Sequence, residues 1–455
     1  MKYALLFRCG RTAFGLSIGV AILTALNIPV RASADAVAVP VDVRAPRYNL
    51  YVDPYNENTV KIGGFSGLIP APGRSDWLYA VTDRGPNPDY VPAAGAAGKI
   101  FVRPDFGPQV ISLFLHPSGT AKIAEIQSLK NPDPNGGWIT GLPPTPTVTR
   151  QAPEVLWDLN LNLAPTDEDG IDAEGITLDA WGHFWVCEEY KPSLAMVDIN
   201  GKVQLRLVPQ GTLAGTEAIP GYDVLPRILK ERYNNRGLEG IAFANGFLYA
   251  IVQRPLSNPD AATSEKSQNI RIVAVDLNAV LAGSAEPAIQ QFIYRTEANA
   301  KQKNVYASDL FAVSSTKFLV PERQTDKLYC IDVAGATDIT GLEDEDGRLI
   351  ASPNPLKTTL EQLTAAELTA LGVIPVAKTE VLPSLTAIDP VLAKCEGVCL
   401  IGQTLVLTHD NDFDLNPATS VATPNPGGPL VEIQLQDPPN SPRLFLVPLP
   451  PGILP

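Results

Sequence analysis

Short apolar strands flank polar turns at several places along the chain in one fixed arrangement. In four ungapped segments, an acidic residue precedes an apolar strand, a turn and a second apolar strand follow, and a polar residue lies 14 positions beyond the acid. These segments are Glu174 to Glu188, Glu239 to Gln253, Asp309 to Arg323, and Glu396 to Asp410. A degenerate fifth copy runs from Ser66 to Arg84 without the leading acid. Such self-similarity indicates a repeat architecture.

A third apolar strand follows each hairpin, and a fourth follows in several copies. Third strands are predicted at Val110 to Leu115, Leu194 to Asp198, Ile270 to Leu277, Leu328 to Val333, and Leu430 to Leu435. Fourth strands are predicted at Lys202 to Val208 and Ile289 to Tyr294. A four-stranded meander is the unit of one propeller blade. The pattern therefore predicts an all-β fold, a β-propeller of four-stranded blades.

The spacing of the repeats predicts insertions between blades. The leading acids are 65 to 87 residues apart, whereas a bare blade takes about 40–45 residues. Leucine spacing from Thr358 to Gly372 predicts a short amphipathic helix, and the Pro- and Gly-rich segment Asn131 to Thr149 is expected to be an irregular loop. The segments Tyr48 to Ile62 and Arg443 to Val447 are expected to build or close one further blade. We therefore estimate six blades, with seven as the alternative.

The N-terminus has the pattern of a secretory signal. Basic residues precede an apolar stretch from Ala13 to Ile28, and Ala32-Ser33-Ala34 supplies a small-residue cleavage site. The stretch is shorter than the roughly 20 residues that span a bilayer. We predict a signal peptide over residues 1–34, a single propeller domain over residues 35–455, and export to the periplasm or the medium, with no membrane span.

Charge and cysteine content limit the partners and the covalent chemistry. Removal of the signal takes away four cationic residues and no acid, so the net charge changes from −14 to −18. Nucleic acid is therefore excluded as a partner, and a monomer is the expected state. Four cysteines remain, which either form one or two disulfides in an oxidising compartment or stay buried as free thiols. They are Cys187, Cys330, Cys395 and Cys399.

The leading acids are candidate metal ligands. First strands of propeller blades line the central channel, so equivalent positions converge on the axis, where clustered carboxylates repel unless cations or protons neutralise them. Oxygen ligands favour Ca²⁺, with Mg²⁺ as the alternative. The alternative for each acid is that it caps a turn. The predicted ligands are Asp169, Asp172, Glu174, Glu239, Asp309, Glu396, Asp410 and Asp412.

Residues that follow the second strands are candidate catalytic groups. Arginines at this level suit phosphate or carboxylate oxygens, and a carboxylate or histidine there could act as a base. The alternative is that these side chains form ion pairs between blades. The predicted set is Asp83, Arg84, Glu188, Glu189, Arg254, Glu322, Arg323 and His409.

Several ordered motifs carry a resemblance to a known family. They are the acid-Gly-Ile units, Phe184 to Tyr190, Asn235 to Gly240, and Asp410-Asn411-Asp412-Phe413. From about Gly64 to Leu435 the chain resembles the phytase-like domain family labelled "esterase-like activity of phytase". This resemblance implies a β-propeller whose acidic residues form the active site. Ser66 departs from the acid of the other copies, and Asp309 lacks the following glycine, which leaves the number of metal ligands open.

These observations favour an exported, metal-dependent hydrolase of phosphate mono- or diesters that acts on a small anionic substrate. One alternative is a lactonase-type propeller with a single axial calcium and a carboxylate base. The other is a propeller that binds a ligand or a protein partner and whose calcium is structural.

Overall fold

The computed structural model describes residues 36–43, 48–92, 97–133, 137–145, 154–298, 305–416 and 429–454, and the predicted signal peptide lies outside these ranges. The strands are β1 (Val37–Asp42), β2 (Asn49–Val52), β3 (Thr59–Lys61), β4 (Phe65–Pro70), β5 (Trp77–Thr82), β6 (Asp89–Tyr90), β7 (Gly98–Ile100), β8 (Gln109–His116), β9 (Thr120–Ser128), β10 (Val155–Trp157), β11 (Ala173–Leu178), β12 (Phe184–Glu188), β13 (Ser193–Val197), β14 (Val203–Pro209), β15 (Gly221–Leu225), β16 (Leu238–Ala244), β17 (Phe247–Val252), β18 (Asn269–Asp276), β19 (Ile289–Arg295), β20 (Phe311–Ala312), β21 (Lys317–Glu322), β22 (Lys327–Asp332), β23 (Ala377–Leu382), β24 (Cys395–Ile401), β25 (Thr404–His409) and β26 (Arg443–Pro448).

Helices are few and short. The α-helices are α1 (Ala261–Lys266), α2 (Leu277–Leu281) and α3 (Ala365–Ala370). Turns of 3₁₀-helix occur at Arg227–Glu231, Leu360–Gln362, Pro390–Lys394 and Asp412–Asp414. In the parts of the chain that the structure describes, no helix is both long and apolar enough to cross a membrane.

The strands assemble a β-propeller, as the repeats predict. Blade 1 is β4-β5-β8-β9, blade 2 is β11 to β15, blade 3 is β16 to β19, and blade 4 is β20 to β23. Blade 5 combines β24, β25 and β26 with β1, which pairs antiparallel with β26 from Val37 opposite Leu446 to Pro40 opposite Arg443. The fourth strand of the last blade thus comes from the start of the described chain.

The estimate of six blades is not confirmed, since the described strands form five. The segment from Tyr48 to Ile62 contains only the hairpin β2–β3. The predicted strand at Leu430 to Leu435 is wrong, because β26 pairs with β25 in its place and only Leu435 makes an isolated bridge, to Leu415. The apolar residues Val431 and Ile433 in that segment pack with Phe413 in a small buried core.

Glycines in the repeats allow the innermost strands of neighbouring blades to approach closely. A Cβ atom on Gly67 would lie 2.9 Å from the Cα of Gly175, and one on Gly175 would lie 3.0 Å from the Cα of Gly240. A Cβ on Gly240 would lie 2.2 Å from the backbone nitrogen of Leu310. The packing of blades around the axis therefore requires glycine at positions 67, 175 and 240 of the repeats.

The predicted helical insertion is present between β22 and β23. Leu360–Gln362 and α3 both start with capping boxes, from Thr359 and Thr364. A fully buried guanidinium, that of Arg271 on β18, anchors the insertion to blade 3. It contacts both oxygens of Glu343 at 2.6 and 2.9 Å and Glu361 at 2.7 Å.

The four cysteines that follow the predicted signal are buried free thiols in this structure. This matches the second of the two alternatives that the sequence leaves open.

Candidate functional site

A polar cavity of about 200 Å³ lies where the innermost strands converge, and residues of all five blades line it. Nine carboxylates and five cationic side chains are among the described lining residues, so negative charge is in excess. The carboxylates belong to Asp83, Asp89, Asp172, Glu174, Glu189, Glu239, Glu396, Asp410 and Asp412. The cations are Arg84, Lys99, Arg236, Arg323 and Lys394.

β-Bulges aim the leading acids into this cavity. The pairing register shifts at Glu174 between β11 and β12, and at Glu239 between β16 and β17. It shifts again at Glu396 between β24 and β25, and at Ser66 in blade 1. A bulge leaves one residue unpaired and re-aims its side chain. The repeated bulge explains why three of the four leading acids share one cavity.

Three carboxylates at one side of the cavity form a candidate cation site. Asp172 immediately precedes β11, Glu174 lies on it, and Glu189 follows β12, so antiparallel pairing brings all three to one end of blade 2. One oxygen from each lies within 4.8 Å of the other two. Asp172 is only 3% exposed and Glu189 only 2%. A buried cluster of this kind needs cations or protons to offset its repulsion.

Glu239 and Glu396 line the same cavity. Glu239 accepts a hydrogen bond from Gln253 Nε2, and Glu396 pairs with Arg323 Nη1. The second oxygen of each carboxylate is buried and has no hydrogen-bond partner in the described structure. Both therefore have an acceptor left for a cation or a ligand.

Two of the predicted metal ligands lie outside the cavity. Asp309 accepts from the backbone N–H groups of Leu310 and Val398, both at 2.7 Å, and so joins blade 4 to blade 5. Asp169 accepts from Ala218 N at 2.8 Å and Ile219 N at 3.1 Å. Both side chains cap backbone groups, which is the alternative stated for the leading acids.

Asp410 and Asp412 line the cavity together with the ammonium group of Lys394. Lys394 Nζ lies 3.0 Å from Asp410 Oδ2 and 2.5 Å from Asp412 Oδ1. The ammonium group therefore offsets one of the two carboxylate charges without a metal.

Half of the predicted catalytic set lines the cavity, namely Asp83, Arg84, Glu189 and Arg323. Arg84 is buried and contacts Glu154 at 3.0 Å and Asp172 at 3.4 Å. It therefore holds a member of the candidate cation site in place.

Glu188 and Glu322 do not reach the cavity. Glu188 accepts from Tyr190 N at 3.0 Å and lies 3.5 Å from Arg206. Glu322 pairs with Lys378 Nζ at 2.6 Å. Both are fully buried, and their contacts are those of structural ion pairs.

Arg254 and His409 are also absent from the cavity wall. The Arg254 guanidinium stacks 3.8 Å from the centre of the Tyr233 ring. His409 is 1% exposed and packs near Phe445. Burial lowers the pKa of His409 to about 4, so the imidazole is neutral at pH 7.

Three cavity cations, Lys99, Arg236 and Lys394, are missing from the predicted set. Arg236 Nη1 lies 3.4 Å from Glu189 Oε1. Arg236 and Lys394 stand three and two positions before the leading acids Glu239 and Glu396, respectively. Both lie in the segments that lead into β16 and β24, so a cation shortly before a repeated acid is the signal that could have found them.

Burial and mutual repulsion favour protons on the cavity carboxylates. Burial first, then neighbouring acids, raises the pKa values of Glu174, Glu239 and Asp83 well above their usual range. The same causes raise the pKa of Asp172 to about 6 and that of Glu189 to about 8. Lys394 is the main favourable partner of Asp410, whose pKa falls to about 2 despite burial.

Metal-free protein is expected to lose stability as the pH rises from about 5 to 8. The folded pKa values of Asp172 and Glu189 exceed the unfolded values of about 4. The folded state therefore binds more protons than the unfolded state in this range, and deprotonation destabilises it. Urea midpoints of chelated protein at pH 5 and pH 8 measure this effect, and saturating Ca²⁺ should reduce it. A chelated midpoint that increases over the same range would contradict the assignment.

The family model for phytase-like proteins, described as "Esterase-like activity of phytase", matches residues 60–413. The chain belongs to this family. The matched segment of this phytase-like chain includes every described residue that lines the axial cavity except Leu415. No curated protein matches it.

Solved structures with similarity to the phytase-like chain have low sequence identity to it. The PQQ-bound aldose sugar dehydrogenase of Streptomyces coelicolor is 8% identical, with 91% of this chain and 99% of that chain covered and a TM-score of 0.32. Virginiamycin B lyase of Staphylococcus aureus is 9% identical, with 85% and 95% covered and a TM-score of 0.28.

Proposed function

We propose that this chain is an exported, calcium-dependent hydrolase of phosphate mono- or diesters, with its active site in the axial cavity. The observation that carries the proposal is that one cavity contains both a carboxylate cluster and arginines. Three carboxylates lie close together in its wall, and the same wall includes Arg236 and Arg323.

The carboxylate cluster fits a hard cation. Asp172, Glu174 and Glu189 each offer an oxygen within 4.8 Å of the others. Ca²⁺ binds oxygen at about 2.3–2.6 Å and Mg²⁺ at about 2.0–2.1 Å, so a separation within this limit accommodates either ion. Arg84 and Arg236, each 3.4 Å from a member of the cluster, orient the carboxylates. Ca²⁺ is the first choice because it accepts oxygen ligands in flexible geometry, whereas Mg²⁺ requires a near-ideal octahedron.

Two arginines are suited to hold the substrate's phosphate group. Arg323 uses one terminal nitrogen on Glu396, and its buried Nε has no partner among the described residues. Arg236 uses one terminal nitrogen on Glu189, and about a third of its side chain is exposed in the cavity. Planar guanidinium groups bind phosphate oxygens through paired hydrogen bonds. A phosphate held between them would lie beside the carboxylate cluster.

Glu239 is the best placed proton donor for the leaving oxygen. It is 1% exposed, lines the cavity, and has one oxygen free of hydrogen bonds within the described residues. Burial and the neighbouring Glu189 and Glu396 favour its protonated form, which is the form a general acid needs. Bound calcium would supply a water of lowered pKa and offset the charge of the phosphate.

The test is hydrolysis of p-nitrophenyl phosphate, bis-p-nitrophenyl phosphate and phytate by the protein without its signal, after chelation and again with Ca²⁺. We expect calcium-dependent phosphate release, and a loss of kcat by about 10²–10⁴-fold in Glu239→Gln. Glu286→Gln, an exposed residue outside the cavity, is the matched control and should retain full activity.

Two outcomes would overturn the proposal. Absence of turnover on all three substrates, despite calcium binding, would favour a propeller that binds a ligand or a partner. Lactone turnover without phosphate release would favour the lactonase-type alternative.

A further inference from the structure

A second, smaller cavity lies beside the axial site and contains an uncompensated cation. It measures about 60 Å³ and is bounded by loops around blade 2 and by the segment that follows the 3₁₀-helix Arg227–Glu231. Arg232 lines it, is 5% exposed, and has its Nη1 atom buried without a hydrogen-bond partner in the described structure. A buried donor of a charged group that lacks a partner is costly, so a ligand that supplies an acceptor would be favoured.

The other contacts of Arg232 do not neutralise it. Its Nε donates to the backbone oxygen of Tyr190, and the guanidinium lies 5.1 Å from the centre of the Tyr190 ring. Neither contact brings a carboxylate. Burial lowers the pKa of Arg232, which shows that the nearby acids do not offset the desolvation of its charge.

The other described charged groups that line the cavity are either paired with an opposite charge or are further cations. Lys191 pairs with Glu217 at 2.6 Å. Glu154 is engaged by Arg84 at 3.0 Å and by the Tyr190 hydroxyl at 3.2 Å. Lys230 adds a further cation to the wall. Among the residues that the structure describes, the cavity wall therefore has an excess of positive charge and suits an anion.

The shape and lining of the cavity select the kind of anion. Proline and leucine side chains form much of the wall: Pro143, Pro144, Leu156, Pro192 and Pro209. Apolar walls disfavour a strongly hydrated dianion such as phosphate, whereas a carboxylate with a short apolar tail matches one guanidinium in charge and the walls in polarity. We propose that this cavity is a binding site for short monocarboxylates, with Arg232 as the anchoring residue.

The site is separate from the axial cavity, so the proposal does not depend on the hydrolase function. Tyr190 lines the small cavity and not the axial one. The centre of its ring is 5.5 Å from the guanidinium of Arg84 in the axial site and 5.1 Å from that of Arg232.

Calorimetric titration with sodium propionate, against sodium chloride at equal ionic strength, tests the site. We expect saturable binding at one site, weaker by at least about tenfold in Arg232→Met, since a charge-assisted pair is lost. Arg232→Lys should retain part of the affinity. Arg227→Met is the matched control, because Arg227 is a partly exposed arginine of the adjacent 3₁₀-helix that pairs with Glu345, and it should bind as the unmodified protein does.

A crystal soaked with bromopropionate gives a readout that needs no variant. The anomalous signal of bromine should appear in the small cavity, with the carboxylate at Arg232. Equal affinity in Arg232→Met, binding of phosphate but not propionate, or bromine absent from the cavity would each overturn the proposal. If near-ultraviolet circular dichroism shows that Arg232→Met does not fold, the bromine position and Arg232→Lys decide the question.

Discussion

Glu174→Gln is expected to lower the affinity for Ca²⁺ by about 100-fold or more, since the charge count of a calcium site sets its affinity. Glu174 is the central member of the axial carboxylate cluster, and its neighbours Glu239, Glu189 and Asp172 make its ionised form unfavourable without a cation. The same change should raise the stability of the chelated protein at pH 8, because it removes one charge from a repelling group. Calcium titration by calorimetry and urea unfolding with and without Ca²⁺ measure the two opposite effects.

Asp309→Asn is the informative control for this prediction. Asp309 occupies the equivalent place in its repeat, yet its oxygens bind backbone N–H groups of blades 4 and 5. It should reduce stability and leave calcium affinity unchanged. Equal losses of calcium affinity in the two variants, or none in Glu174→Gln, would show that the cation does not bind at the cluster.

Arg271→Met is expected to reduce the free energy of unfolding by about 3–5 kcal/mol, the usual effect of removing one partner from a buried ion pair. Arg271 is the only cation in contact with Glu343 and Glu361 among the described ion pairs, and both carboxylates would be left buried and repelling. The insertion that packs on blade 3 should loosen first, since this network anchors it. Urea unfolding gives the free energy, and hydrogen exchange over residues 334–376 locates the loosening.

Lys327→Met removes a cation from an exposed pair with Glu380, where both side chains are about one third or more exposed. Water screens such an exposed pair, so its loss should change the free energy of unfolding little. A similar small change in both variants would mean that Glu343 and Glu361 become protonated or reach water when Arg271 is lost.

The repeats predicted the fold and the centre of the site from a few residues. Glu174, Glu239 and Glu396 are each followed by glycine, and that glycine permits the close packing and the bulge that turn the acid inward. Asp309 lacks the glycine and does not reach the cavity, so the departure seen in the sequence had a structural meaning.

Other features could not be predicted because they depend on distant contacts. Glu322 pairs with Lys378 and does not face the axis. Lys378 lies on β23, which follows a long insertion, so this contact could not be predicted from the repeat. The number of blades could not be predicted because β1 is a single strand without a repeat signal. It completes a sheet whose partner strand, β26, comes from the other end of the chain. Lys394 and Arg236 could not be recognised as equivalent because they precede their leading acids by different numbers of residues.

Closure of the ring by β1 has a consequence for how the molecule folds. Blades 1 to 4 draw their strands from neighbouring parts of the chain and can form in order as it emerges, but Val37 meets Leu446 across 409 positions. Contacts this distant in sequence form late, because the ends of a long loop must first meet. Until then β1, which is made first, presents the edge that β26 later covers, and an unpaired edge is prone to pair with other chains. Since β26 lies near the C-terminal end of the described chain, protection of that edge falls within the last step of folding.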